Sequence, residues 1–290
     1  MLVLKPLSWA AFVLATGTAA ECARQMLQEM TERYIASQSS GQLGWLEKVF
    51  TDNATYRENG KVMDITKGIL AQPLQIDHSR SILDDQNCAT YTELIITNAK
   101  NPYVIGTQIR HNGTGALGYV RVALVDSVVS GPDAWLFNAT HSLHYALSEH
   151  WTTIAPDKRD SRETLKNAAD AYLNMWGNQT ANATAQVPWG TPCARLEGSL
   201  YTGKGLPNDT CSVGIPRGSS LPNINRRYVI DETKGSVNVL CTFQTMENAL
   251  DSHEFRLEGG KLRYVHTATI CPRPNCGLKR PDSLSEDVGW

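Results

Sequence analysis

The chain has 290 residues, of which 27 are Lys or Arg and 29 are Asp or Glu, for a formal net charge of −2. A balance this even, with no run of basic residues, offers no electrostatic footprint for a phosphate backbone and excludes nucleic acid as an expected partner. Beyond the amino terminus no apolar stretch approaches the ~20 residues of a bilayer span, and the polar carboxyl end lacks a lipid-anchor tail, so a soluble product without a membrane partner is expected.

Residues 1–20 read as an export signal: Lys5 supplies the positive start, Leu7 to Ala15 the short apolar segment, and Thr18-Ala19-Ala20 the small residues of a cleavage site. Behind it, Asn53, Asn112, Asn138, Asn178, Asn182 and Asn208 each head an Asn-X-Ser/Thr triplet, the acceptor pattern for N-linked sugar. The expected localisation is secreted, in the extracellular space or the lumen of the secretory pathway. About 270 residues remain after cleavage, room for two domains of ordinary size. Seven cysteines in an exported chain imply disulfides with one thiol left over. The expected pairs are Cys22 with Cys88 and Cys193 with Cys211, each contributing roughly 3 to 4 kcal/mol through loop entropy. Cys241, in the apolar run Val237 to Phe243, is the expected buried free thiol, and no connectivity is assigned to Cys271 and Cys276. Zinc is not expected, because no close cysteine pair is matched by a second pair or by suitably spaced histidines.

Two helices mark two beginnings. One covers about Ala23 to Ser37; the other follows the capping sequence Asp160-Ser161-Arg162-Glu163 and carries Leu165, Ala168, Ala169, Tyr172, Leu173 and Trp176 at helical spacing up to Gly177. Leu27 and Tyr34-Ile35 in the first repeat as Leu165 and Tyr172-Leu173 in the second. Further landmarks recur in order: Glu58-Asn59-Gly60 with Glu197-Gly198, Tyr103-Val104-Ile105 with Tyr228-Val229-Ile230, Gly118 with Gly235, and Asp126-Ser127 with Asp251-Ser252. The reading is an α+β internal duplication, each unit a helix and then several antiparallel strands with one face covered by helices. Domain one is placed at 21–150 and domain two at 157–271. Ala139 to Ile154 is expected as a connecting helix ended by Pro156, and 272–290 as a flexible tail.

The run of helix, Tyr56-Arg57-Glu58-Asn59-Gly60, and antiparallel strands ending in the hairpin His253 to His266 resembles the cone-shaped NTF2-like fold of SnoaL-type cyclases and ketosteroid isomerase. The mature chain also resembles a family of secreted fungal proteins of unknown function through residues 187–198, Asn225 to Asp231 and that hairpin. The resemblance implies tandem NTF2-like cones packed as an intramolecular pseudo-dimer, a monomer, and a fungal habitat associated with secondary metabolism. It supplies no established reaction.

Among the motifs, the glycine run 113–118 matches a dinucleotide fingerprint, but a strand follows it where the fingerprint needs a helix amino terminus, so it is read as a loop and no cofactor is expected. His141, His144, Glu149 and His150 cluster on the connecting helix without a complete ligand set, and no metal is expected. No Gly-X-Ser-X-Gly elbow occurs. In the terminal hairpin a Gly259-Gly260 turn pairs Glu258 with Lys261, Leu257 with Leu262, Arg256 with Arg263, Phe255 with Tyr264 and His253 with His266. On that register His253 and His266 share the buried face with lowered pKa values, either as an acid/base pair or as hydrogen-bonded structural residues. Arg256 opposite Arg263 is an unfavourable like-charge pair that asks for an acidic neighbour. Ile76, His78, Arg80 and Ile82 share a face if Gln75 to Leu83 is extended.

Two functions compete. One is a cofactor-independent cyclase, isomerase or dehydratase acting on a small apolar, polyketide- or terpenoid-like metabolite. There His253 and His266 are the acid/base pair, Glu197 the orienting carboxylate, Tyr201 and Tyr264 the donors to a carbonyl oxygen, and Phe255, His78, Arg80 and Tyr56 further substrate contacts. The other is a non-catalytic secreted binder of a small apolar molecule. A structure that puts the two rings on opposite sheet faces dissolves the pair and favours the binder.

Overall fold

The computed structural model describes residues 22–114, 119–178, 180–215 and 221–277. The expected signal peptide, most of the glycine run and the tail from 278 onward lie outside these residues. The chain order is α1 (Arg24–Ser40), α2 (Gly44–Glu47), β1 (Phe50–Glu58), β2 (Lys61–Val62), β3 (His78–Asp84), β4 (Ala89–Ile96), β5 (Tyr103–Thr114) and β6 (Tyr119–Ser130). After α3 (Ala139–Ser148) the same series returns as α4 (Arg162–Gly177), α5 (Ala181–Gln186), β7 (Trp189–Glu197), β8 (Leu200–Tyr201), β9 (Asn223–Asp231), β10 (Ser236–Phe243), β11 (Ala249–Glu258) and β12 (Lys261–Ile270). The strands form two six-stranded sheets of the same topology, β2-β1-β6-β5-β4-β3 and β8-β7-β12-β11-β10-β9. These are two similar tandem domains of mixed α/β structure.

The sheets are mixed, which corrects the antiparallel expectation. β1 runs parallel to β6, and β7 parallel to β12, because each domain's first strand returns beside its last after an antiparallel meander. The structure also corrects the matching of several landmarks. Glu58 and Glu197 do occupy the same end of β1 and β7, but Tyr103 opens β5 while Tyr228 lies in β9, the counterpart of β3. Asp126 lies in β6, whose counterpart is β12, whereas Asp251 is in β11. Strands of similar apolar content are interchangeable in a one-dimensional reading; the pairing order decides.

The first helix of each domain, α1 and α4, packs on the inner face of its own sheet. In α4 the stripe Leu165, Ala168, Ala169, Tyr172, Leu173 is buried against β9 to β12, and Ser161 caps the start by accepting the Thr164 N–H. α1 has no side-chain cap; the Cys22–Cys88 disulfide ties its start to the turn between β3 and β4 instead. Cys193–Cys211 is bridged and Cys241 is free and buried, as expected, and a third bridge joins Cys271 and Cys276. That bridge, together with buried Asn275 accepting the Leu136 N–H at 2.8 Å, corrects the expected flexible tail at its first residues, 272–277. The connecting helix is shorter than expected, stopping at Ser148, because the next residues turn inward to place Glu149 and Trp151 between the domains.

The outer faces of the two sheets meet as they would in a symmetric dimer. Arg24, opening α1, donates two hydrogen bonds to Asp231 at the end of β9, at 2.9 and 2.7 Å. Arg162, opening α4, makes the same fork on Asp84 at the end of β3, at 2.7 and 2.6 Å. Each carboxylate also accepts a backbone N–H from the opposite domain, Leu83 to Asp231 and Ile230 to Asp84. Gly106 of β5 and Ser252 of β11 face each other across the pseudo-axis, where a β-carbon on Gly106 would stand 2.7 Å from the Ser252 hydroxyl. This is the isologous rule within one chain: the same patch on both halves, each contacting the other.

Candidate functional site

The terminal hairpin keeps the expected turn for two pairs and then departs from it. Glu258 pairs with Lys261 and Leu257 with Leu262, but Arg256 pairs with Tyr264, leaving Arg263 as the extra residue of a β-bulge. Glu254 therefore faces His266, and His253 faces Thr267. The one-residue slip sends His253 to the inner face and His266 to the outer, correcting the proposed pairing. The physical reason lies in the arginines. A flush register would have put Arg256 beside Arg263; with the bulge, Arg256 is buried against the carbonyls of Thr152 and Lys234 and the Glu258 carboxylate, while Arg263 turns outward over the Tyr264 ring at 4.2 Å.

Each histidine acquires a carboxylate of its own. On the inner face His253 Nδ1 is in short contact with Asp251, two residues away on the same side of β11. Asp251 also accepts the Thr269 hydroxyl at 2.6 Å. The imidazole lies between the Phe243 and Phe255 rings, beside Tyr172, and its Nε2 is buried without a hydrogen-bond partner. Next to it Glu197 accepts from the Tyr172 hydroxyl at 2.8 Å and from Thr267, with Arg195 3.5 Å away. Burial and the Glu197 charge push the Tyr172 phenol well up. Burial and then Asp251 raise the Cys241 thiol as well. By strand pairing, the counterparts of Asp251, His253 and Thr269 in domain one are Ile105, Thr107 and Val129. Among the described residues, this carboxylate–imidazole pair on the inner face occurs in the second domain alone. Tyr56, expected at a site, is the domain-one counterpart in this region and is spent in the core, donating to Glu58 at 2.7 Å.

On the outer face His266 sits between two glutamates, Nδ1 3.0 Å from Glu93 and Nε2 2.7 Å from Glu149. Arg80 reaches across the interface to Glu254 at 2.8 Å and pairs with Glu93 on the neighbouring strand at 2.9 Å, with its guanidinium 3.7 Å over the Trp151 ring. Burial alone would lower the His266 pKa, but the Glu149 and Glu93 carboxylates outweigh both it and nearby Arg80 and hold the ring at about 10. His266 is thus an imidazolium at neutral pH, reversing the expected lowering. His78 joins the same face, where burial pushes its pKa down. Ile76 does not, since β3 begins at His78 and Ile76 packs into the domain-one core. Glu93, Glu149, Trp151 and Glu254 complete this centre and were not assigned to it from the sequence; they come from three separate segments, β4, the stretch after α3 and β11, so no local spacing announces them. A cavity of ≈ 310 Å³ opens beside it, lined by Arg80, Trp151, Lys234 and the α1 residues Gln28 and Thr31.

A larger cleft of ≈ 610 Å³ lies on domain two between α3, β7, β8, the bulged hairpin and the loop after β8. Tyr145 and Tyr201 stack in parallel along it, ring centroids 4.2 Å apart, with Tyr264, Arg263, His144 and Lys204 around them. Burial and then Glu149 push the Tyr201 phenol up. The loop is held to β7 by Cys193–Cys211 and by the Cys193 N–H on the Asp209 carbonyl at 3.0 Å. Of the residues expected at a site, Tyr201 and Tyr264 meet here, His78, Arg80 and His266 meet at the domain interface, and His253, Glu197 and Phe255 meet on the inner face of the domain-two sheet. The acceptors Asn53, Asn112, Asn178, Asn182 and Asn208 are exposed, whereas Asn138 is half-buried and caps α3. Among the described residues no helix is long and apolar enough to cross a membrane.

A family described as a domain of unknown function, DUF8021, matches residues 158–269, the second domain. The comparison with curated proteins finds no match. A solved structure, a DUF4783 family protein from Bacteroides ovatus, is similar at 8% identity over 32% of this chain and 89% of that chain, and its TM-score of 0.23 carries no argument about fold or function.

Proposed function

We propose that the chain is a secreted, fungal-type, tandem NTF2-like protein that binds a small, largely apolar molecule in the cleft of its second domain, as a monomer whose first domain serves as a built-in partner. The observation that carries this reading is the cleft itself: ≈ 610 Å³, walled by stacked tyrosines and braced by a disulfide. That size and mixed lining are typical of small-molecule sites. The histidine pair that an enzyme was expected to use is divided between two sheet faces. The test is native mass spectrometry of the glycoprotein purified from its own secretion. A retained ligand of a few hundred daltons, lost in the double variant Tyr145→Ala/Tyr201→Ala, supports the reading; a ligand retained equally by that variant removes it.

A specific observation supports a second reading. Asp251 holds His253 Nδ1 while Nε2 has no partner, the arrangement a general base requires, and domain one has aliphatic residues in the flanking positions. On this reading domain two is a cofactor-independent isomerase, cyclase or lyase working inside the cone, with His253 as base and Glu197 and Tyr172 as orienting groups. His253 is 3% exposed, so substrate entry would require the cone to open. Turnover of a copurified ligand, abolished by His253→Ala with binding kept, would decide for it.

A further inference from the structure

We propose that the ligand of the domain-two cleft is a planar aromatic molecule bearing one carboxylate, held by Arg263 and Lys204 over the tyrosine wall. The inference rests on the binding reading and specifies its chemistry.

The β-bulge is the first argument. Bulges re-aim side chains, and this one takes Arg263 out of the ladder and points it into the cleft wall. There the guanidinium covers Tyr264 and donates to the Pro192 carbonyl at 3.3 Å. Among the described residues Arg263 forms no ion pair with a carboxylate, and neither does Lys204 across the cleft. A half-buried guanidinium that the fold has turned away from every acid retains donors for an incoming anion.

The acids nearby are already used, which is the second argument. Asp209 is the one carboxylate among the lining residues, and its Oδ2 accepts the backbone N–H groups of Lys204 and Leu206 at 2.7 and 3.0 Å. Glu149, behind the wall, is bound by His266 and by the Trp151 indole N–H. With Glu149 engaged by His266, the cleft lining presents the fixed cations Arg263 and Lys204 against Asp209 alone. The third argument is shape: Tyr145 and Tyr201 stack on each other within 6° of parallel and both stay half-buried at the cleft, so the stack ends in an outer ring face on which a planar ring can lie, and aromatic faces stack best with an offset partner.

The test is isothermal titration calorimetry of the full glycoprotein with 2-naphthoate, 2-naphthalenemethanol and 2-naphthylmethylamine, which share a ring system and differ in charge. The acid should bind about tenfold more tightly than the alcohol, the amine should be weakest, and Arg263→Gln should erase the acid's advantage while leaving the alcohol unchanged. Lys204→Gln, on an exposed loop, serves as the second variant should Arg263→Gln fold poorly, and should reduce the advantage in part. Equal affinity for acid and alcohol, both lost in Tyr145→Ala/Tyr201→Ala, overturns the carboxylate proposal while the cleft stands. Failure of all three compounds to bind overturns the cleft together with it.

Discussion

Removing Asp84 should loosen one domain from the other. Its carboxylate is fully buried, and it accepts two hydrogen bonds from Arg162, one from the Ile230 N–H and one from the Asn87 N–H. Asp84→Ala leaves Arg162, whose side chain is 22% exposed, as an uncompensated charge beside two orphaned backbone donors. Breaking a buried pair costs about 3 to 5 kcal/mol and an orphaned buried N–H about 1 to 3, but water readmitted at the partly exposed guanidinium recovers part, so a loss of about 4 kcal/mol is expected. Asp231→Ala breaks the reciprocal fork, where Arg24 is 32% exposed and better screened, and should cost less, about 2 to 3 kcal/mol. Urea unfolding of both single variants, with a double-mutant cycle on Asp84→Ala and Arg162→Ala, provides the measurement. A coupling energy below about 0.5 kcal/mol, or Asp231→Ala costing more than Asp84→Ala, would refute the claim that these forks clamp the halves together.

Four further outcomes follow from the same geometry. The His266 pKa is raised to about 10, so its stabilising contribution is full below the unfolded value near 6.5 and is lost as pH rises toward 10. Chemical denaturation should show wild type losing a few kcal/mol across that window and His266→Gln starting lower and staying nearly flat; a flat wild-type profile contradicts the ion lattice. Replacing Cys193 and Cys211 by serine removes a crosslink of sequence separation 18, expected to cost about 3 kcal/mol by loop entropy and to weaken cleft binding as well, which calorimetry and denaturation together report. Cys241 should resist iodoacetamide in the native protein and react only after unfolding; rapid native alkylation would show that the domain-two core opens. Gly106→Val should push the sheets apart at the pseudo-axis and destabilise by about 2 kcal/mol or more, read as a fall in thermal midpoint.

What was legible in the sequence was what local chemistry determines. The apolar stripe and Ser161 cap fix α4, the shared Leu and Tyr spacing reveals a duplication, and the Gly259-Gly260 turn fixes the innermost pairs of the hairpin. The disulfide pairs followed from keeping bridges within domains. The bulge at Arg263 was not legible, because its cause is tertiary: Arg256 finds the carbonyls of Thr152 and Lys234 only after the second domain docks on the connecting segment. One missed signal was available. Asp251 and His253, two residues apart on β11, share one strand face, a spacing that the sequence itself displays. The repeated Arg-X-X-Leu at Arg24 and Arg162, with the aspartates closing β3 and β9, would likewise have disclosed the reciprocal clamps.

The most direct test of the central claim is a crystal structure of the protein purified from its native secretion with its copurified ligand retained. The account predicts a flat molecule against Tyr145 and Tyr201 with an anionic group toward Arg263. A ligand instead seated on the inner face of the domain-two sheet, within hydrogen-bond reach of His253 Nε2, would contradict it and establish the second domain as the acid/base site.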